Sequence, residues 1–541
     1  MTYLRENPVL QRELLVNLRT VRAFVLLFGY LALLGSVVYL AWPSEQRVDL
    51  TNPEASKRLV NMFFLGQYVL ASLLAPSFAA GAIAGEKERK SYEMLLASPL
   101  PPSAILIGKL LASMAHLAIL VFTSLPIVML CLPLGGVSLY EVLAAYVALF
   151  VSTTLFGMIS LGCSSYFQRT SAALVVSYLL ILPLALAGMF LWFALSGTGS
   201  TARLVAAFVV LPGAALALGG IVFVLTSRRL LHPPDVGSEG KEVVDADQEM
   251  QQAVGLVIQR GQFPDNLFAP AKRDDLLEDG VNPVFDKEMR SEIFSQGTLM
   301  LRIVIQMSML LAIPIMFICF YNTHPEWAPW YVNYVLLFNV LVGPVFSAGS
   351  VTGERERETL ELLLTTVLSP WQILWAKLVS GLRVSSVLTM FLVWPLLLAC
   401  LMVTKYWTNL PAMGWYLLIV VMSCVTTGTL ALFCSVVFRK TAVSLMTSYL
   451  AVIVLYLGPI AASSFADTFV ADSATRGLID QLSFTSPFAA ALSVPLTIDG
   501  TTYGGAWPTY LAYLPVAALG NATLLGLMTW LFHVRWRVAQ E

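Results

Sequence analysis

The chain has 541 residues, is 57% hydrophobic and only 12% charged, and carries a formal net charge of −1. A soluble domain has about 25% charged residues, so this composition excludes an ordinary soluble fold. The near-neutral balance gives no reason to expect a nucleic-acid partner.

In chain order, the first feature is an amphipathic stretch with Val9, Leu10, Leu14, Leu18 and Val21 at helical spacing and Arg12, Glu13, Asn17 and Arg19 opposite. Such a helix is expected to lie along the membrane surface. Six apolar runs follow, at residues 23–42, 62–84, 110–132, 139–163, 172–195 and 204–226. Each is near the length of about 20 residues that crosses the hydrocarbon core. Arg19 and Arg22 precede a full-length run, so no cleavable signal is expected there. Residues 227–281 are acidic and broken by Pro233, Pro234, Pro264 and Pro270, which reads as a cytoplasmic linker. A second amphipathic stretch (Phe285, Met289, Ile293) then leads into six more runs, at 299–320, 330–351, 378–403, 415–437, 443–460 and 510–532. The runs are continuously apolar rather than alternating, so they predict helices and not a barrel. The expected fold is all-α, with about twelve transmembrane helices.

Of the 32 Lys and Arg, only Arg47, Lys57, Arg58, Arg203, Lys405 and Arg476 fall in loops that are external if the N-terminus is inside. The positive-inside rule therefore places both termini and the linker in the cytoplasm, and the chain in the inner (plasma) membrane. The cysteines (131, 163, 319, 400, 424 and 434) sit in or at the ends of apolar runs and read as packing residues. No metal site is expected.

The chain repeats itself. Asn7-Pro8-Val9 with Glu13 recurs as Asn282-Pro283-Val284 with Glu288. Pro76, Gly81, Gly85, Glu86, Glu88 and Glu93 recur as Pro344, Gly349, Gly353, Glu354, Glu356 and Glu361, and the block from Gly157 to Tyr178 recurs from Gly428 to Tyr449. Three blocks in the same order indicate a duplication. The domains are then 1–226, a six-span repeat with its interfacial helix; 227–281, the linker; and 282–541, the second repeat. Six spans per repeat keep both in one orientation, as parallel repeats about an axis along the membrane normal.

The segment after the second span of each half is the most informative. It reads Gly85-Glu86-Lys87-Glu88-Arg89-Lys90, then Glu93-Met94-Leu95-Leu96, and again Gly353-Glu354-Arg355-Glu356-Arg357-Glu358, then Glu361-Leu362-Leu363-Leu364. Prolines and an Ile-to-Lys run (Ile105 to Lys109, Ile373 to Lys377) follow each. Helical spacing predicts a short charged helix leaving the bilayer, with Glu86, Lys90 and Glu93, or Glu354, Glu358 and Glu361, on one face. Lys109 and Lys377 are expected to snorkel toward water. A mixed-sign protruding helix with an apolar flank suits docking to a soluble protein, the alternative being a solvated loop that merely obeys the positive-inside rule.

These residues resemble the type-2 ABC transporter permease family, across both halves and leaving out the linker. The resemblance implies the permease subunit of an ABC transporter, an exporter, powered by two copies of a separate ATP-binding subunit, with room for further accessory subunits. It implies docking and coupling residues at Glu86, Glu88, Arg89, Glu93, Glu354, Glu356, Arg357 and Glu361. Arg169-Thr170 and Lys440-Thr441 fit the family's turn before the fifth span. Ser486-Pro487-Phe488 is similar to an outer segment that the first half lacks, so the outer faces should differ.

Gly108-Lys109 and Gly240-Lys241 lack the spacing and following Ser/Thr of a phosphate loop, and no Leu-Ser-Gly-Gly stands in the chain. No catalytic constellation is found. The chain is expected to bind no cofactor itself, with ATP and Mg on the partner. Gln67, Tyr68, Asn333, Tyr334 and Asn339 are candidates to line a pathway. Two other readings compete: an ABC-type component of an assembly or motility complex, and a secondary transporter. The second is disfavoured because no Asp or Glu lies in the middle of a span, Glu141 standing at the edge of its own.

Overall fold

The structure, a computed structural model, describes residues 54–88, 91–129, 138–167, 170–194, 204–231, 282–290, 312–321, 327–402, 409–469, 473–498, 501–503 and 508–536, with isolated positions at 8–14, 28–35, 306–310 and 407. The chain divides into two compact units, Met1–Pro233 with Phe465–Ala471, and Pro234–Ser464 with Asp472–Glu541. Each is described by itself.

In the first unit, α1 (Glu54–Ala79) is followed directly by the short α2 (Gly81–Glu88) and α3 (Tyr92–Leu96). Then come α4 (Pro102–Met129), α5 (Leu139–Tyr166), α6 (Thr170–Ala194) and α7 (Leu211–Leu231), the last entered through a π-helical turn, Ala206–Val210. The second unit opens with α8 (Pro283–Arg290) and continues with α9 (Ala328–Ala348), α10 (Thr352–Glu356), α11 (Leu360–Leu364), α12 (Pro370–Met402), α13 (Leu410–Val437) and α14 (Thr441–Phe469). After these stand α15 (Ser473–Leu482), α16 (Pro487–Ser493), an antiparallel hairpin of β1 (Leu496–Ile498) and β2 (Thr501–Tyr503) with Thr497 opposite Thr502, and α17 (Thr509–Trp536).

Among the described residues eight helices are long and apolar enough to cross a membrane, or nine if α4, bent by 40°, is one span. The described residues thus account for eight or nine spans of the twelve expected. The spans expected at 23–42 and 299–320 lie largely outside the described residues, as do most of the linker and the first interfacial stretch. α6 stands at the position expected for the fifth span, with a shorter apolar stretch at Val176–Met189.

α5 in the first unit, and α9 and α13 in the second, are buried on most of their faces. Close packing there depends on glycine. A Cβ on Gly157 of α5 would lie 2.6 Å from Met114 of α4, and one on the equivalent Gly428 of α13 would lie 2.8 Å from Leu382 of α12. Without a hydrophobic driving force between helices in lipid, this close approach is a main source of cohesion.

The repeated prolines Pro76 and Pro344 lie inside α1 and α9, where they remove a backbone donor and disturb the carbonyls one turn before. Tyr178 of α6 donates to Leu73 O at 2.7 Å, and Tyr449 of α14 donates to Leu341 O at 2.5 Å. Each tyrosine thus serves a carbonyl three residues before the proline. In α14, Pro459 cannot donate to Leu455 O. Thr485 donates to that carbonyl at 3.1 Å and Ser486 to Tyr456 O at 2.6 Å, so the segment leading into α16 satisfies the kink. Asn409 exchanges two hydrogen bonds with Thr497 of β1, at 2.9 and 2.7 Å, and ties the hairpin to the start of α13. The corresponding stretch of the first unit, residues 195–203, is far shorter and lies outside the described residues. Cys163, Cys319, Cys424 and Cys434 are free and buried, in keeping with a packing role.

Candidate functional site

The repeated Gly-Glu-(Lys/Arg)-Glu element occupies the end of α2 in the first unit and α10 in the second. Its three charged positions meet three different partners, and the pattern is the same in both copies.

The first Glu meets a buried lysine. Glu86 pairs with Lys109 of α4 at 2.8 Å, and that ammonium also donates to Ala82 O at 2.7 Å. In the second copy Lys377 of α12 lies 3.5 Å from Glu354, donates to Ser350 O at 2.9 Å, and pairs with Glu288 of α8 at 2.6 Å. Both lysines are 1% exposed, so the expectation that they snorkel is corrected. A carboxylate within reach makes burial of the ammonium cheaper than extending it to water past packed helices. Glu354 further accepts from Lys287 at 2.8 Å and from the Thr359 hydroxyl. Burial alone would raise its pKa, but Lys287, Thr359 and Lys377 outweigh that and hold it down at about 2.

The basic residue meets a helix C-terminus. Lys87 donates to Ser165 O and Phe167 O at 2.5 and 3.3 Å, at the end of α5. Arg355 reaches Phe438 O and Val436 O, at 2.5 and 3.3 Å, at the end of α13. These carbonyls have no partner within their helix, and a cation is the group the helix dipole favours there.

The second Glu meets a helix N-terminus. Glu88 accepts from the Thr170 backbone N–H at 2.9 Å and Glu356 from that of Thr441 at 3.2 Å, with the threonine hydroxyls alongside. These are the first residues of α6 and α14, where an acceptor satisfies orphan donors. Ser164 completes the first joint by accepting from Ile83 N and Ala84 N at 3.0 and 2.8 Å, and Ser435 completes the second through Val351 N and Thr352 N, both at 3.0 Å. The element is therefore a clamp across four helices of its own unit.

The charged helix predicted from spacing is in fact two short helices. Thr359 N bonds to Glu354 O at 2.9 Å and Glu358 takes a left-handed φ of 59°, which closes α10 and turns the chain into α11. Ser91 N bonds to Glu86 O at 3.0 Å in the same way. The shared face expected for Glu354, Glu358 and Glu361 is thereby broken, and that for Glu86, Lys90 and Glu93 meets the same break, with Lys90 outside the described residues. Of the eight candidate docking residues, Glu86, Glu88, Glu354 and Glu356 bond within their own unit. Glu93, Arg357 and Glu361 are exposed, and Arg89 lies outside the described residues. Beside Glu93 and Glu361 stand Met94, 78% exposed, and Leu362, 69% exposed, at equivalent positions of the repeat. Tyr92 and Leu360 anchor the same short helices inward.

In the sequence, Ser164 and Ser435 stand out only as parts of a repeat, and nothing there joins them to Lys87, Arg355, Thr170 and Thr441, which the motif and the family's turn mark separately. Recurrence at fixed offsets is the signal that all six share.

Of the pathway candidates, Gln67 is 6% exposed, Tyr68 donates to Ala185 O at 3.2 Å, Asn333 is partly buried and Tyr334 is buried. Asn339, fully buried, accepts from Thr427 at 3.0 Å and donates to Cys424 at 2.7 Å. It is an interhelical bond inside the second unit. The described residues contain no metal-ligating cluster.

No curated protein matches the chain. A family model described as ABC-2 family transporter protein matches residues 19–200 and 216–533, which include both copies of the clamp. With its apolar spanning helices and duplicated element, the chain belongs to the ABC-2 transporter family and is a multi-pass membrane component of an ABC transporter.

Proposed function

We propose that the chain is the permease of an exporter driven by a separate ABC ATPase, with one ATP-binding subunit docked at each copy of the element. ATP and Mg bind to those subunits. The tips α3 and α11 are the docking surfaces, and the clamp transmits their displacement to the spans. The observation that supports this reading is the division of labour within the element. Its first acids, basic residue and second acids each bond within the unit, while Met94 with Glu93 and Leu362 with Glu361 are left outward on anchored turns. Exposed apolar side chains rimmed by charge on a rigid support suit a protein interface. The element lies on the side that the distribution of Lys and Arg assigns to the cytoplasm, together with both termini, in the inner membrane.

The test is the double variant M94D/L362D, purified from cells that hold its natural partners. A carboxylate forced into the centre of a docking interface costs about 2–4 kcal/mol. Co-purification of an ATP-binding protein should fall at least tenfold, while the chain still inserts and keeps its unfolding temperature. Undiminished co-purification with full ATP-coupled transport contradicts the proposal.

A further inference from the structure

At the end of α7 the first unit carries a cationic corner that the clamp does not require. The guanidinium of Arg229 lies 3.5 Å over the ring of Tyr166, and the ammonium of Lys87 lies 5.4 Å over that of Tyr92. Leu230, next to Arg229, packs with Ile83 and with Tyr92, which brings the two cations to one corner, and Arg228 is exposed next to Arg229 in the chain. The Nε of Arg229 is buried and meets no hydrogen-bond partner among the described residues. Of the nearby acids, Glu88 is engaged with Thr170, and Glu86 pairs with Lys109 through Oε1 while its Oε2 is buried and meets no hydrogen-bond partner among the described residues. Like charges held together on aromatic faces, with a guanidinium donor unspent, form a place for an anion.

Its position says which anion. α7 turns an apolar face outward, with Leu216, Ile221, Val224 and Leu225 exposed, while Leu230 at its end is buried against Ile83 and Tyr92. An outward apolar helix faces lipid, so Arg228 and Arg229 in its last turn stand at headgroup depth. The second copy of the clamp lacks these two aromatic walls. Arg355 makes the same bonds as Lys87, but Val437 and Leu360 stand where the first copy has Tyr166 and Tyr92. The aromatic walls are therefore an addition to the first unit and not a structural necessity of the fold.

We propose that Lys87, Arg228 and Arg229, walled by Tyr166 and Tyr92, bind the phosphate of an anionic phospholipid on the membrane face that carries the clamp. Arg229 supplies a forked donor to the phosphate oxygens, and Lys87 supplies charge with the donor left over from its two carbonyl bonds.

The experiment is native mass spectrometry and thermal unfolding of the full chain in a neutral detergent, with dioleoyl phosphatidylglycerol, dioleoyl phosphatidylcholine or inorganic phosphate added. The wild type should retain phosphatidylglycerol over phosphatidylcholine and unfold at a higher temperature with it. R229Q should weaken that retention about five- to tenfold, R228Q less, and R229K to an intermediate level. K440Q, which removes an exposed cation of the second unit, should leave it unchanged. Equal retention of both lipids, or a loss with K440Q equal to that with R229Q, overturns the site in favour of bulk attraction. Stabilisation by inorganic phosphate equal to that by phosphatidylglycerol overturns the assignment to a lipid. Should R229Q fail to fold, wild-type retention by R228Q and R229K together overturns the proposal.

Discussion

Lys377 is 1% exposed and shares its ammonium between Glu288, Ser350 O and Glu354. Removing the cation leaves two partly buried carboxylates facing one another, and loss of one partner from a buried pair costs about 3–5 kcal/mol. K377M should therefore lower the unfolding temperature sharply, and K377M/E288Q should recover part of the loss. The two variants are compared by thermal unfolding in detergent. Glu354 gives a pH signature. Its folded pKa of about 2 lies below its ordinary 4.5, so its contribution is complete above pH 4.5 and is lost as pH falls toward 2. Wild-type stability should fall across that window more steeply than that of E354Q, and parallel slopes would show that the ion pair contributes nothing. Glu358 holds φ 59°, a conformation that favours glycine. E358G should raise stability by about 0.5–1 kcal/mol if the turn is only structural. What could be read from sequence at this scale was which residues matter, because Glu86 and Glu354 or Lys109 and Lys377 recur in register. Which way they point could not be read. Spacing put the acids on one outward helical face, and the left-handed turn at Glu358 that breaks this face follows from tertiary bonds to Glu354 and from no glycine in the sequence.

Helices of this chain meet through small residues and through hydroxyl groups at prolines. Gly428 of α13 has Leu382 where its own Cβ would be, at 2.8 Å. G428V should push α12 off α13 and cost about 1–3 kcal/mol, the range of overpacking. The unfolding temperature checks it, and L382A in the same chain should relieve part of the defect. Long apolar runs revealed most of these helices, but not which of them are buried, since Ala206–Leu230 is the most apolar and the least buried. They did not reveal that Tyr178 and Tyr449 serve carbonyls near Pro76 and Pro344, because that pairing joins residues roughly one hundred positions apart. The same holds for Ser486, which a resemblance marked as a motif and which in the fold caps the kink at Pro459.

At the scale of the whole molecule, the duplication is legible in sequence because three separate blocks had to keep their order and spacing, and the reason for that spacing is the clamp. Glu-(Lys/Arg)-Glu touches a buried lysine, a helix end and a helix start, so all four segments are locked to one another in each unit. If the outward tips beyond each clamp receive an ATPase, they should stand against it in the assembled transporter. A photo-crosslinking amino acid placed at Met94, and separately at Leu362, in living cells measures this most directly. Both positions should crosslink to a protein carrying an ATP-binding cassette, and Leu216 on the lipid-facing side of α7 should not. Crosslinks to no such protein from either tip, or equal crosslinking from Leu216, would contradict docking at the tips.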